Sequence, residues 1–296
     1  MLPQTVLPQP VSARTVLSRT EWLAEAEAHR ERLLPYVTPH LKRRTSGTKH
    51  PVHDFLFTYY AHRPAQLLRW HPGFGVRLKD APEYDGLRGY EQGSVTAEWL
   101  ATQTPLIRGL RNLLSATAGR PPQLGCFGLH EWAMVYRLEA DGVRHPDWPL
   151  RLSGAGTDAV VESHRIQCSH FDAYRFFTAP ALPLNALRPG VGDRADFEQP
   201  GCLHGTMDLY KHAFRMSPLV PSSLVADCFE LAWEVRVLDM RASPYDFADL
   251  GLGPVRIETS EGKQEYAAAQ RAFAERAAPL RERLIAECDR LLTSQS

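Results

Sequence analysis

Leu224, Cys228, Leu231, Val235 and Leu238 step by four, three, four and three residues, the interval that brings apolar side chains onto one face of an α-helix. Ser222 or Ser223 stands just ahead of them as an N-cap. A second stripe, Tyr266, Ala269, Phe273, Leu280, Leu284, Cys288 and Leu291, follows Ser260 and Glu261, and Pro279 within it is predicted to kink that helix. A one-sided helix cannot bury its stripe alone, so each needs other elements to pack against.

Elsewhere the signals are shorter. Ser18 and Glu21 fit a capping box that opens a helix carrying Trp22, Leu23, Ala26 and Leu33 and ending before Pro35. The basic stretch HLKRRTSGTKHP reads as a solvated linker. A second helix is predicted from Pro51, restarted at Pro64 and stopped at Gly73. Residues 76–95 read as loop, 96–115 as helix, 157–178 as strand-like through Val160, Val161 and Ile166, and 179–201 as a long connection that includes RPGVGD. No internal repeat is visible. The expected fold is α+β, predominantly α-helical with a small β element, in a single compact domain over 18–296 behind a disordered leader of residues 1–17.

Composition narrows the function classes. With 34 Lys and Arg against 34 Asp and Glu the chain has no net charge, so no long-range field draws in a polyanion. Five cysteines without CxxC spacing argue against a disulfide framework or zinc ribbon and suit a reducing compartment. Neither a secretory leader nor an apolar run of about 20 residues is present, which predicts a soluble cytoplasmic protein with no membrane partner.

Chemistry is carried by twelve histidines, several beside carboxylates. In IQCSHFDAYRFF, residues 166–177, His170 and Asp172 form a His-x-Asp pair; His204, Asp208 and His212 share one helix face at i, i+4 and i+8. Two imidazoles and a carboxylate are a metal face with open positions, so His170, Asp172 and His204, with His130 or Asp208 as a fourth ligand, could hold iron, zinc or manganese. A metal-free alternative makes Glu131 or Asp172 an acid-base group in a flat aromatic pocket. Its walls would be Trp132, Tyr136, Phe171, Tyr174, Phe176 and Phe177 with the earlier Tyr59, Tyr60 and Trp70, and desolvation would raise the acid's pKa. Arg63, Arg69, Arg137 and Arg175 adjoin those segments and could grip an anion. The plainer alternative is that these side chains are core or surface residues of a ligand-binding protein without catalysis.

The strings HPVHDFLFTYYAHRPAQLLRWHPG (50–73), GCFGLHEWAMVYR (125–137), SHFDAYRFF (169–177) and GCLHGTMDLYKHAFRMSPLVPSSLVADCFELAWEVRVLDMRASPYD (201–246) resemble a family from GC-rich bacterial genomes. Its members carry the name 3-methyladenine DNA glycosylase, and the resemblance covers about residues 18–285. It implies a DNA-repair N-glycosylase that excises an alkylated purine from damaged DNA without a cofactor. Stacking rings would hold the extruded base. Asp172 or Glu131 would position water or stabilise an oxocarbenium-like sugar, and Arg175 or Arg137 would hold a flanking phosphate.

Overall fold

The computed structural model describes residues 15–138 and 147–295; most of the predicted leader, residues 1–14, lies outside them. Thr15–Leu17, which the leader was expected to include, instead forms strand β1. It pairs in parallel with β2 (Val76–Leu78), and β2 pairs antiparallel with β4 (Ser94–Val95), which pairs with β3 (Tyr90–Glu91). Residues 76–95 are therefore a small sheet of order β1-β2-β4-β3 rather than plain loop. Strands of two or three residues leave no alternation to detect. The β3–β4 turn has Gln92 and Gly93 both at positive φ, the backbone of a two-residue hairpin loop.

Helices make up the rest. The first, α1 (Arg19–Ser46), has the predicted capping box at Ser18 but runs through Pro35 and Pro39 instead of ending before them, taking in part of the predicted linker. Its stripe Leu33, Val37 and His40 is buried on the core, and that packing outweighs the backbone bonds the prolines cannot donate. Short turns follow at α2 (Phe55–Thr58) and α3 (Pro64–Leu67), then the long α4 (Ala97–Ala118), capped by Thr96. Next come α5 (Leu129–Ala133) and α6 (Gly154–Glu162). The predicted strand is overturned here: Ser153 caps α6 through Gly156 N–H, and Val160 and Val161 are buried from a helix, while residues 171–174 form the single turn α7 (Phe171–Tyr174). After α8 (Arg194–Phe197) come α9 (Leu203–Arg215), α10 (Ser222–Arg241) and α11 (Ser260–Thr293).

The result is the expected predominantly helical α+β fold. Helix α9 packs chiefly on α10, and α11 spans α4, α9 and α10. All five residues of the α10 stripe are buried, with Phe229, Tyr210 and Leu33 among the fully enclosed side chains of the main core. Each such side chain contributes about 1.5–3 kcal/mol. A satellite cluster of Trp22, Trp70, Leu78 and Tyr84 fastens the sheet to α1, with Trp22 Nε1 donating to the Lys79 carbonyl at 2.8 Å. No helix among the described residues is long and apolar enough to cross a membrane.

Candidate functional site

Helix α9 is buried around nearly its whole circumference, which is unusual for a helix carrying His204, Asp208 and His212. Those polar side chains must find partners inside the protein. His204 and Asp208 belong to two separate clusters, one at each end of the turn between them, whereas His212 joins neither and its Nδ1 is buried without a hydrogen bond.

The first cluster joins α5, α9 and α10. Helix α5 is pinned to the end of α10 by Trp132 Nε1, which donates to the Ala242 carbonyl at 2.9 Å, and this turns His130 and Glu131 inward. Helix α10 contributes Arg236 and Asp239, one turn apart on its buried face. Arg236 Nη1 donates to Asp239 Oδ2 at 2.9 Å and to Glu131 Oε1 at 3.1 Å. His130 Nε2 stands 2.9 Å from Asp239 Oδ1, yet out of line for a hydrogen bond, so both atoms are buried without one. The His204 ring meets the His130 ring edge-on, with centroids 4.5 Å apart. One donor atom from each of His130, His204 and Asp239 lies within 4.8 Å of the others, within reach of a single ion once the side chains close on bonds of about 2.1 Å.

Electrostatics differ sharply across this group. Burial alone would depress the His130 pKa, but the adjacent Asp239 carboxylate outweighs it and holds His130 well above the usual histidine value. Asp239 is buried too, and is nevertheless held far below the ordinary carboxylate range, chiefly by His130. Burial and then the charge of His130 push His204 well below its usual value, so its imidazole is neutral and available as a ligand.

The second cluster collects His170, Glu198 and Asp208, which also lie within 4.8 Å of one another. It already contains its own cations. Asp208 accepts from Arg194 Nη2 at 2.7 Å, from Lys211 Nζ and from Tyr60 Oη at 2.9 Å, and lies 3.2 Å from His170 Nε2. Arg194 Nε reaches Glu198 as well. Burial opposes ionisation of Asp208, but Lys211 and His170 hold its pKa well below the usual range. A divalent ion here would compete with two positive side chains already in place.

The expected set of His170, Asp172 and His204 is thus not brought together. His170 is the residue before the first turn of α7, and its ring points to Asp208. Asp172 lies on that turn and pairs with Lys211 Nζ at 3.2 Å and Arg175 Nε at 3.5 Å. The His-x-Asp reading assumed a strand, and the helical turn separates the two side chains. His204 joins His130, one of the expected fourth ligands, and the other, Asp208, joins His170. The sequence reading missed Asp239, Arg236 and Glu198. An Arg-x-x-Asp pair beside Val235 and Leu238 of a buried stripe was the available signal for the first two.

A cleft of about 770 Å³ opens beside the first cluster. Glu131, His204 and Arg236 line it, and so does Asp172, so both acids singled out from sequence face one cavity. Its aromatic lining includes Phe55 stacked on Tyr59 (centroids 4.8 Å, planes 9° apart), Phe176 and Trp148. The Arg236 guanidinium lies 3.9 Å from the Phe55 ring centre. Of the ring and arginine residues expected to form such a wall, Tyr59, Phe176 and Arg63 line this cleft and the others do not. Trp132 and Tyr136 are core, with Tyr136 Oη donating to Glu162. Tyr60 is committed to Asp208, Tyr174 packs on Phe177, and Phe171 begins α7. Arg175 donates to the Tyr59 hydroxyl at 3.2 Å, and Arg137 pairs with Glu162 on the surface.

Comparison of the chain with protein-family models, curated proteins and solved structures found no match.

Proposed function

We propose that the protein is a metal-dependent hydrolase that holds one divalent ion, zinc, iron or manganese, on His130, His204 and Asp239 beside the cleft. The observation that carries this reading is the His130–Asp239 contact. Two buried ligand-type atoms stand 2.9 Å apart with no hydrogen bond satisfying either, and a neutral His204 is beside them. Buried polar atoms left without partners are rare, and an ion ligated by both would satisfy them. Its chemistry would be that of a Lewis acid, which also brings the pKa of a coordinated water toward neutrality. Arg236 fixes Asp239 through the oxygen that is not offered as a ligand, the outer-shell arrangement that orients a metal-binding carboxylate. Glu131 shares Arg236 and lines the cleft, which suits it to accept a proton from water or substrate.

A metal-free N-glycosylase acting on alkylated purines in DNA is the second reading. It is favoured by Glu131 and Asp172 lining the same cavity as Phe55, Tyr59 and Phe176. Elemental analysis of purified protein separates the two. The first expects stoichiometric metal that is lost in His130→Ala and Asp239→Ala and retained in His170→Ala. Metal-free protein that releases 3-methyladenine from alkylated duplex DNA would overturn it in favour of the second.

A further inference from the structure

Arg236 is only 2% exposed, and its five N–H donors are not all used. Nη1 serves Glu131 and Asp239, while Nε is buried without a partner and Nη2 makes no hydrogen bond among the described residues. Nε and Nη2 form one edge of the guanidinium, the fork that meets the two oxygens of a carboxylate. Phe55 covers a face of the group, and Arg236 belongs to the cleft wall. Arg281 is equally buried with the same two nitrogens unpartnered, but it does not line the cleft; the place of Arg236 on the cleft wall is what makes its vacant edge an anion site.

From this fork we infer that the substrate is an organic carboxylate, held side-on by Arg236 beside the ion. The inference rests on the metal-dependent reading for the position of the ion, but not for the anion site itself. Charge agrees with it. The approach is net cationic: Arg44, Lys49 and Arg63 are exposed on the cleft lining and form no ion pair among the described residues, against one exposed acid, Asp147, while Asp172 and Asp54 there are already paired. Phe55 and Tyr59 offer an apolar face for the body of the molecule.

Calorimetric titration of the full chain at saturating zinc with benzoate, benzamide and inorganic phosphate tests this. Benzoate should bind one to one, benzamide at least about tenfold more weakly, and Arg236→Lys should weaken benzoate by about tenfold or more while far-UV circular dichroism is unchanged. Benzamide binding as tightly as benzoate, phosphate binding where benzoate does not, or an Arg236→Lys variant that binds benzoate normally would each overturn the carboxylate assignment. The comparison of benzoate with benzamide needs no variant, so a misfolded Arg236→Lys leaves the test intact. Arg236-dependent benzoate binding by protein that takes up no metal would sink the metal reading alone. Zinc-replete protein indifferent to benzoate would sink this inference alone.

Discussion

Replacing Asp208 by asparagine removes one charge from the second cluster while preserving shape, and its cost follows from what that charge holds. Asp208 is 3% exposed and accepts from Arg194, Lys211 and Tyr60. An asparagine keeps one acceptor oxygen and turns an NH2 group toward donors. Breaking a buried ion pair from one side costs about 3–5 kcal/mol, because the partner charges stay buried. Arg194 retains Glu198 and Lys211 retains Asp172, so the lower end, about 3 kcal/mol, applies. At a urea m-value of about 3 kcal/mol/M, the unfolding midpoint should fall by about 1 M. The double variant Asp208→Asn/Lys211→Met should be at least about 1 kcal/mol more stable than the sum of the single effects, since it removes the stranded ammonium as well. A loss below about 1 kcal/mol for Asp208→Asn, or strict additivity, would refute the claim that this cluster is a charge-balanced strut. Metal content should be unchanged in the same variant, because Asp208 is outside the His130–His204–Asp239 group.

The pH dependence of that variant has a defined sign. Asp208 has a folded pKa held well below its unfolded value of about 3.9, so its contribution is complete above that value and is lost as pH falls through the folded pKa. The stability gap between wild type and Asp208→Asn, measured by urea titration, should therefore be flat from pH 7 to about 5 and shrink only below about pH 4. Two glycines should respond in opposite directions in thermal melts. Gly93→Ala would put a Cβ 2.2 Å from the Leu78 carbonyl oxygen at a positive φ and should cost about 2 kcal/mol or more, whereas Gly109→Ala, inside α4 with open space around it, should stabilise by about 0.5–1 kcal/mol.

The long C-terminal helices were legible because their stripes recur over many turns and the core uses those same residues, Leu224 through Leu238 and Tyr266 through Leu291. The capping boundary at Ser18 was legible for a local reason, since the Ser18 and Glu21 side chains answer backbone groups within one turn. Where sequence reasoning went wrong, tertiary packing decided. Pro35 looks like a stop until Val37 and His40 are seen to be buried beyond it, and the Val160–Val161 pair looks like a strand until Ser153 is recognised as a cap. In the site, His130, His204, Glu131 and Asp172 were legible as residue types. Their grouping was not, because His130, His204 and Asp239 come from three helices far apart in sequence, and nothing in the local pattern records which helix faces which.

Helix α9 holds His204 and Asp208 only four residues apart, yet each answers to a different set of partners on either side of it. Adding or removing one residue between them would rotate everything downstream by about 100° and carry one of the pair away from its cluster. Length variation in this chain should therefore be tolerated at the exposed Val191–Gly192 turn and forbidden between 204 and 212. An insertion scan across α9 would register that as an abrupt loss of folded protein rather than a graded decline.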